Sequence, residues 1–337
     1  MATQKLTIEK LHAFVKGYVD PLLQAGDFEA ATNAFTGLVK KIAVQVMLDG
    51  SYGDKLPEFD GMFLPYGKTI EEYFIDLPVA VKKGAANDYT SPFGLPKLTF
   101  EEAAYSYDLG TVKIAVNFPY NEVEEAMLNA DTFSNLVVRY MERLANSETL
   151  YRYASKKQLI HNDIVKAIAA DTANSTNLVQ TIAKPVDAET GTAFIKKVKD
   201  LVEDAQFVNE GNNLANTLIG ASPSLTLYIK KGIKSTIDVE TLAGAFHLEK
   251  LAVPCEIKVL DDFGSDGASD ATGYVDTSDV YAILIDPRSI KLHPTYTAMR
   301  EQIDANEDEI NYVKHLRFTG FISKYTYVKV FKDVAGE

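Results

Sequence analysis

Apolar positions in the first fifty residues recur at helical intervals. Leu6, Ile8, Leu11, Phe14, Val15 and Val19 fall near one face until Pro21 interrupts the pattern. Phe35, Leu38, Val39, Ile42 and Val46 form a second stripe, which Asp49-Gly50 ends. The period then changes. Tyr73, Ile75, Leu77, Val79 and Val81 alternate with Glu72, Phe74, Asp76, Ala80 and Lys82. Val112, Ile114, Val116 and Phe118 alternate in the same way with Thr111, Lys113, Ala115 and Asn117. Period two is strand spacing. Gly84, Asn87-Asp88, Ser91-Pro92, Gly94 and Pro96 crowd the connection between them, which predicts two long strands joined by an extended tip rather than a tight hairpin. Pro78 removes a ladder donor and favours an exposed ribbon over a central strand. Connections this long inside a domain are more often functional, or ordered by a partner, than structureless.

Helical spacing returns after the second strand. Asn121 with Glu124 has the form of a capping box, and Asp131 is placed to cap again. Phe133, Leu136, Val137, Tyr140, Leu144 and Tyr151 then build one long stripe. No Gly or Pro interrupts the chain from Asn121 to Ile182, so the helix is expected to continue well past Tyr153. Residues 173–184 carry little pattern, and Pro185 marks a boundary. Phe194, Ile195, Val198, Leu201 and Val202 predict an amphipathic helix with Asp187 as its cap. A polar run holding Asn209, Asn212, Asn213 and Asn216 follows. Beyond it the chain mixes types: strands at 225–229 and 256–260, a short helix at 238–246, and an apolar strand at 281–285. Such mixing indicates an α/β region. Strand-like segments at 318–323 and 325–331 close the chain.

Charge and chemistry narrow the class. The 337 residues carry a formal net charge of −13, which argues against gripping nucleic-acid phosphates, because that binding rests on Lys and Arg releasing counterions. Lys230, Lys231 and Lys234 form a basic cluster too small for such a site and read as a solvated edge. No apolar run approaches the roughly 20 residues that span a bilayer, and the first residues lack the apolar core of a signal peptide. Cys255 stands alone, so no intrachain disulfide is expected. No phosphate-loop or dinucleotide-binding glycine pattern is present, and His12, His161, His247, His293 and His315 are scattered without zinc-type spacing. His247 is expected to pack at a helix end, and His293 and His315 to flank strands. Asp262, Gly264, Asp266 and Gly267 echo the start of a calcium loop, but Gly273 stands where the bidentate Glu is required. The reading therefore assigns no catalytic residue, no metal ligand and no cofactor.

The order of elements resembles the major capsid proteins of tailed bacteriophages, with the fold named after phage Hong Kong 97. The strand–helix unit of Leu225, Leu227, Tyr228 and Ile229 with Val239, Leu242, Ala243 and Phe246 is similar to that of small, short-tailed phages. So are residues 281–286, 299–302 and the closing strand. The resemblance implies an α+β chain with an N-terminal helical arm (1–67), an E-loop β-ribbon (68–119) and a P-domain with a spine helix (120–185). A mixed α/β A-domain (186–285) and a return to P-domain strands (286–337) complete it. No added immunoglobulin-like domain is expected.

Function, on that resemblance, is assembly. Copies form hexamers and pentamers of an icosahedral head that encloses double-stranded DNA without sequence-specific binding, with scaffold and portal proteins as partners and no membrane. The expected location is the virion, with assembly in the host cytoplasm. The subunit-contact candidates are Tyr73, Ile75, Val79, Val81, Val112, Ile114 and Val116, the apolar positions of the ribbon. Some capsids of this fold crosslink Lys to Asn. Lys82 and Lys83 lie near the tip, but no acceptor or catalytic carboxylate matches, and both read as solvated. Two alternatives stand beside this reading: an encapsulin-like nanocompartment shell, and a cytoplasmic enzyme or metal-binding protein using the Asp-rich loop 261–279.

Overall fold

The described strands form three sheets, and strands from the C-terminal third of the chain contribute to two of them. The computed structural model describes residues 53–65, 69–75, 77, 100–105, 107–119, 130–174, 177–220, 222, 224–234, 255–264, 275–304, 306–307 and 309–334. The N-terminal helical stripes, the cap at Asn121, the helix at 238–246, His12, His247, Lys82 and Lys83 lie outside them. In chain order the elements are β1 (Ile70–Ile75), β2 (Phe100–Tyr105), β3 (Tyr107–Pro119), α1 (Ala130–Asn174), β4 (Val179–Thr181), α2 (Ala188–Asp204), β5 (Thr226–Lys230), β6 (Glu256–Leu260), β7 (Val280–Ile285), β8 (Ile290–Asp304), β9 (Glu309–Ile322) and β10 (Val328–Lys332). Contacts divide the described residues into two units. The first holds residues 53–65, Asp108–Ser155 and Leu292–Thr319; the second holds Thr69–Tyr107, Lys156–Lys291 and residues 320–334.

In the first unit, β3, β9 and β8 form a three-stranded sheet in that order. Asp108 on β3 meets Arg317 on β9, while Asn117 on β3 meets Glu309 at 3.1 Å. These links run in opposite directions along the two strands, so the pair is antiparallel. Ile310, Tyr312, Leu316 and Phe318 are buried on one face of β9. They meet α1 and β3 through aromatic contacts: Tyr312 edge-on to Phe118 at 5.3 Å, and Phe318 against Tyr151 at 5.9 Å. Lys314 occupies the middle of the same face, fully buried, and pairs with the buried Glu148 of α1. Burial lowers the Lys314 pKa and Glu148 opposes that shift.

A short 3-10 turn, Pro57–Phe59, precedes a segment that runs beside β8. The Gly61 and Leu64 amides donate to the carbonyls of Leu292 and Pro294, each at 2.9 Å. A Cβ on Gly61 would stand 2.4 Å from the His293 ring, so a side chain here would have to displace that ring.

The second unit is built on a mixed five-stranded sheet, ordered β4, β10, β7, β5, β6. β10 is parallel to β4 and antiparallel to β7; β5 is antiparallel to β7 and parallel to β6. Every residue of β7 is buried, which explains why its sequence reads as an unbroken apolar run. α2 lays Phe194, Val198, Leu201 and Val202 against Leu227, Ile229, Tyr281, Leu284 and Phe331 of the sheet. Its start follows the sequence reading. Asp187 caps it, with the Thr190 amide donating to Asp187 Oδ1 at 2.8 Å and the Asp187 amide reaching Thr190 Oγ1 at 3.2 Å. These bonds hold the Asp187 carboxyl below its ordinary pKa. Stability from this cap is therefore present above the normal carboxylate range and lost as pH falls through the lowered value. Asp187→Ala is expected to lower the midpoint of thermal unfolding, with Asp187→Asn retaining much of the cap and the difference shrinking in acid. Unfolding followed by circular dichroism at neutral and acidic pH checks this.

Several expectations are refined. α1 extends to Asn174, and Asp131 falls inside it rather than before it. His293 and His315 lie within β8 and β9, not beside them. β4 and β8 carry too little apolar pattern to stand out, and β8 even contains Pro294. Among the described strands β8 is at the sheet edge, where a missing amide donor is tolerated.

Candidate assembly surface

The ribbon leaves several of its large apolar residues exposed on one face. β1 and β2 are antiparallel, with Glu71 opposite Ala104, Tyr73 opposite Glu102 and Ile75 opposite Phe100. Opposed residues share a face, and all six of these are exposed. Tyr73, Ile75, Phe100 and nearby Leu77 are 56–59% exposed, although each is large and apolar. The Tyr73 and Phe100 rings stack at 5.6 Å, so the patch is already ordered within one copy. The Tyr73 hydroxyl donates to Glu71 at 2.6 Å, and that carboxylate raises the phenol pKa. The outer face is thus an apolar strip bordered by Glu71 and Glu102.

The opposite face is clamped to the turn between β9 and β10. Glu72 accepts from the Tyr105 hydroxyl at 2.8 Å and from Ser323 Oγ at 2.6 Å. The Tyr105 oxygen in turn accepts from the Lys324 amide at 3.1 Å. Phe74 stacks on Tyr325 at 4.9 Å, and Tyr105 meets Phe321 edge-on at 5.0 Å. The Tyr325 hydroxyl donates to Glu101 at 3.1 Å. Burial raises the Tyr105 pKa, opposed by the Lys324 amide and reinforced by Glu72; burial and Glu101 push Tyr325 up to about 12. Both phenols therefore keep their donating protons through neutrality. The clamp fixes how the strip is presented.

The sequence candidates divide into three groups. Tyr73 and Ile75 lie together on the exposed strip. Val79 and Val81 are outside the described residues. Val112, Ile114 and Val116 lie on β3, half-buried, in the sheet with β9 and β8. The expected pairing of residues 73–81 with 112–118 is thus corrected: among the described residues the partner of β1 is β2. Phe100 and the Glu72 clamp were missed. Their signal is faint, because Phe100, Glu102 and Ala104 do alternate with Glu101, Ala103 and Tyr105, but Glu and Ala are poor strand formers.

Charged groups elsewhere are committed to structure. Asp261 and Asp262 both accept from Lys157 of α1, at 2.8 and 2.9 Å. Asp266 is outside the described residues, and among the described ones no three potential ligands converge on a cation position. Lys230 lies over the Phe263 ring at 5.6 Å and donates to the Ser278 carbonyl at 3.3 Å. A polar pocket of about 680 Å³ lies between α2, β4 and the loop after α2. Lys329 at its floor donates to the carbonyls of Asn177 and Gly211, at 3.0 and 3.1 Å. Burial brings Lys329 down to about 8, opposed by Asp204 and Asp171. Both carbonyl-bearing residues have left-handed backbones, with φ of 54° and 78°, so the lysine ties two turns to β10.

The sequence profile described as Phi29-like phage major capsid protein matches residues 13–331. The chain belongs to that family. The major capsid protein of Streptococcus phage Cp-1 is 22% identical over 246 residues, covering 70% of this chain and 66% of that one. That of Bacillus phage B103 is 22% identical over 244 residues, covering 69% of this chain and 51% of that one. The chain thus spans between half and two thirds of the length of these relatives. The capsid structure of Staphylococcus phage Andhra superposes with a TM-score of 0.59 at 11% identity, covering 86% of each chain. The fold is the Hong Kong 97-like capsid fold, α+β in class.

Proposed function

We propose that copies of this chain assemble into the hexamers and pentamers of an icosahedral phage head that encloses double-stranded DNA. The observation that carries the reading is the apolar strip of Tyr73, Ile75, Leu77 and Phe100, ordered by stacking and by the Glu72 clamp yet open to solvent. A strip of this kind fits burial on assembly, since exposed apolar surface rimmed by polar groups is a mark of protein contacts. Tyr73 and Ile75 are the contact residues the reading rests on; Val79, Val81, Val112, Ile114 and Val116 remain further contact candidates, the last three on β3 in a different sheet. The role is structural, with no catalytic step. Family membership and the net charge of −13 both agree with a wall that does not grip its contents.

Within that reading, residues 1–67 form the arm, 68–119 the E-loop, 120–185 and 286–337 the P-domain, and 186–285 the A-domain. Scaffold and portal proteins are the expected partners, and the host cytoplasm is the site of assembly. Ring contacts of this kind are heterologous and close by rotation.

Negative-stain electron microscopy after size exclusion, with and without candidate scaffold proteins, tests the proposal. Closed shells, rings or hexameric sheets are the expected result. Monomer that persists beside a scaffold shown to be competent would overturn it.

A further inference from the structure

The part of α1 in the second unit is buried to an unusual degree for a helix with so many polar residues. Lys156, Leu159, Ile160, His161, Asp163, Ile164 and Ala167 are each at most 1% exposed. Asp163 is the buried carboxylic acid of this group. Its Oδ2 is enclosed and has no hydrogen-bond partner among the described residues. An ionised carboxylate out of water requires donors or a close cation. The cation acting on Asp163 is Lys166, one helical turn on, and partial burial lowers the pKa of Lys166 itself, which weakens it as a partner. Lys324, from the turn after β9, faces Lys166 and works against it. Lys157 is occupied by Asp261 and Asp262 on the loop after β6. Lys156 and His161 are the remaining buried ionisable groups of the stretch.

We propose that this half of α1 is a proton-dependent packing element: it is seated while Asp163 carries a proton and loosens when that proton is lost. Burial, opposed by Lys166, lifts the carboxyl from 3.8 to about 7. The direction of the pH effect follows. Between 3.8 and about 7 the unfolded chain has released this proton while the folded chain still holds it, so stability falls across that window. Below it Asp163 costs nothing, and above it the loss is complete. Going from about pH 5.5 to about pH 8.5, this one group reduces the folded-to-unfolded ratio about thirtyfold.

Equilibrium urea unfolding of the full chain and of Asp163→Asn at those two pH values tests the proposal. Other titrating groups are common to both proteins and cancel in the comparison. The wild-type ratio is expected to fall about thirtyfold further than that of the variant. An equal fall in both would overturn the proposal. A second measurement needs no variant: carbon-13 carboxyl titration of the aspartate-labelled wild-type chain. One aspartate with a midpoint near 7 is expected from its burial, and titration of every aspartate in the ordinary acidic range would overturn the proposal even if the variant does not fold.

Discussion

Ile75→Asp combined with Phe100→Asp is expected to leave the chain folded and to abolish shell formation. Both side chains are more than half exposed in the single copy, where their own sheet partners are each other. Replacing exposed residues of this kind changes folding stability by no more than about 0.5 kcal/mol apiece. On the proposed reading the same positions become buried in an assembled shell. Each new carboxylate then meets an apolar surface without a partner, a cost of about 3–5 kcal/mol per unpaired charge. Glu71 and Glu102 already border the strip, so the added charges also repel their neighbours. Contacts repeated in every copy multiply the effect, because a closed shell needs all of them at once. The thermal unfolding midpoint should fall only slightly, because the two new carboxylates oppose each other across β1 and β2, while particle counts by electron microscopy fall to background. Normal particle yield from the double variant would remove the strip from the assembly reading. Deleting residues 83–110 is a poorer test, since it removes β2 and with it the Tyr105 contacts that clamp the ribbon.

Lys314→Met carries the largest expected loss of folding stability. The lysine is completely buried on the apolar face of β9, and its partner Glu148 is buried on α1. Removing the cation leaves the carboxylate out of water and unpaired, which costs about 3–5 kcal/mol. That is a large share of the ~5–15 kcal/mol by which a domain of ordinary size is stable. The companion variant separates charge from packing. Lys314→Met with Glu148→Leu removes both charges, and apolar replacement of a buried pair is about neutral or better. The double variant is therefore expected to recover most of the loss in urea unfolding. A double variant as unstable as Lys314→Met would mean that packing volume, not the unpaired charge, sets the cost.

Where neighbours in the chain decide structure, the amino-acid pattern was legible. The α2 helix and its Asp187 cap depend on contacts within four residues, and both stand as read. β5 and β7 were visible because buried strands carry apolar runs, and β6 because its apolar and polar residues alternate. The Hong Kong 97-like fold itself was reached through the order of these elements, and the family match agrees. The candidate surface was half legible: Tyr73 and Ile75 stand out by alternation, whereas Phe100 is hidden in a stretch of Glu and Ala.

Strand periods, the α2 helix and its cap were thus determined by the sequence alone, because each follows from local side-chain spacing, whereas the ends of α1 were not. Tertiary structure decided which strands pair. Period two states that a segment has two faces and says nothing about its neighbour, so β1 joined β2 while β3 joined β9. Tertiary structure also decided which polar residues go inside. Lys314 and Glu148 are 166 positions apart, and Glu72 and Ser323 are 251 apart. Each is an ordinary surface-type residue until the fold supplies the partner that makes its burial affordable.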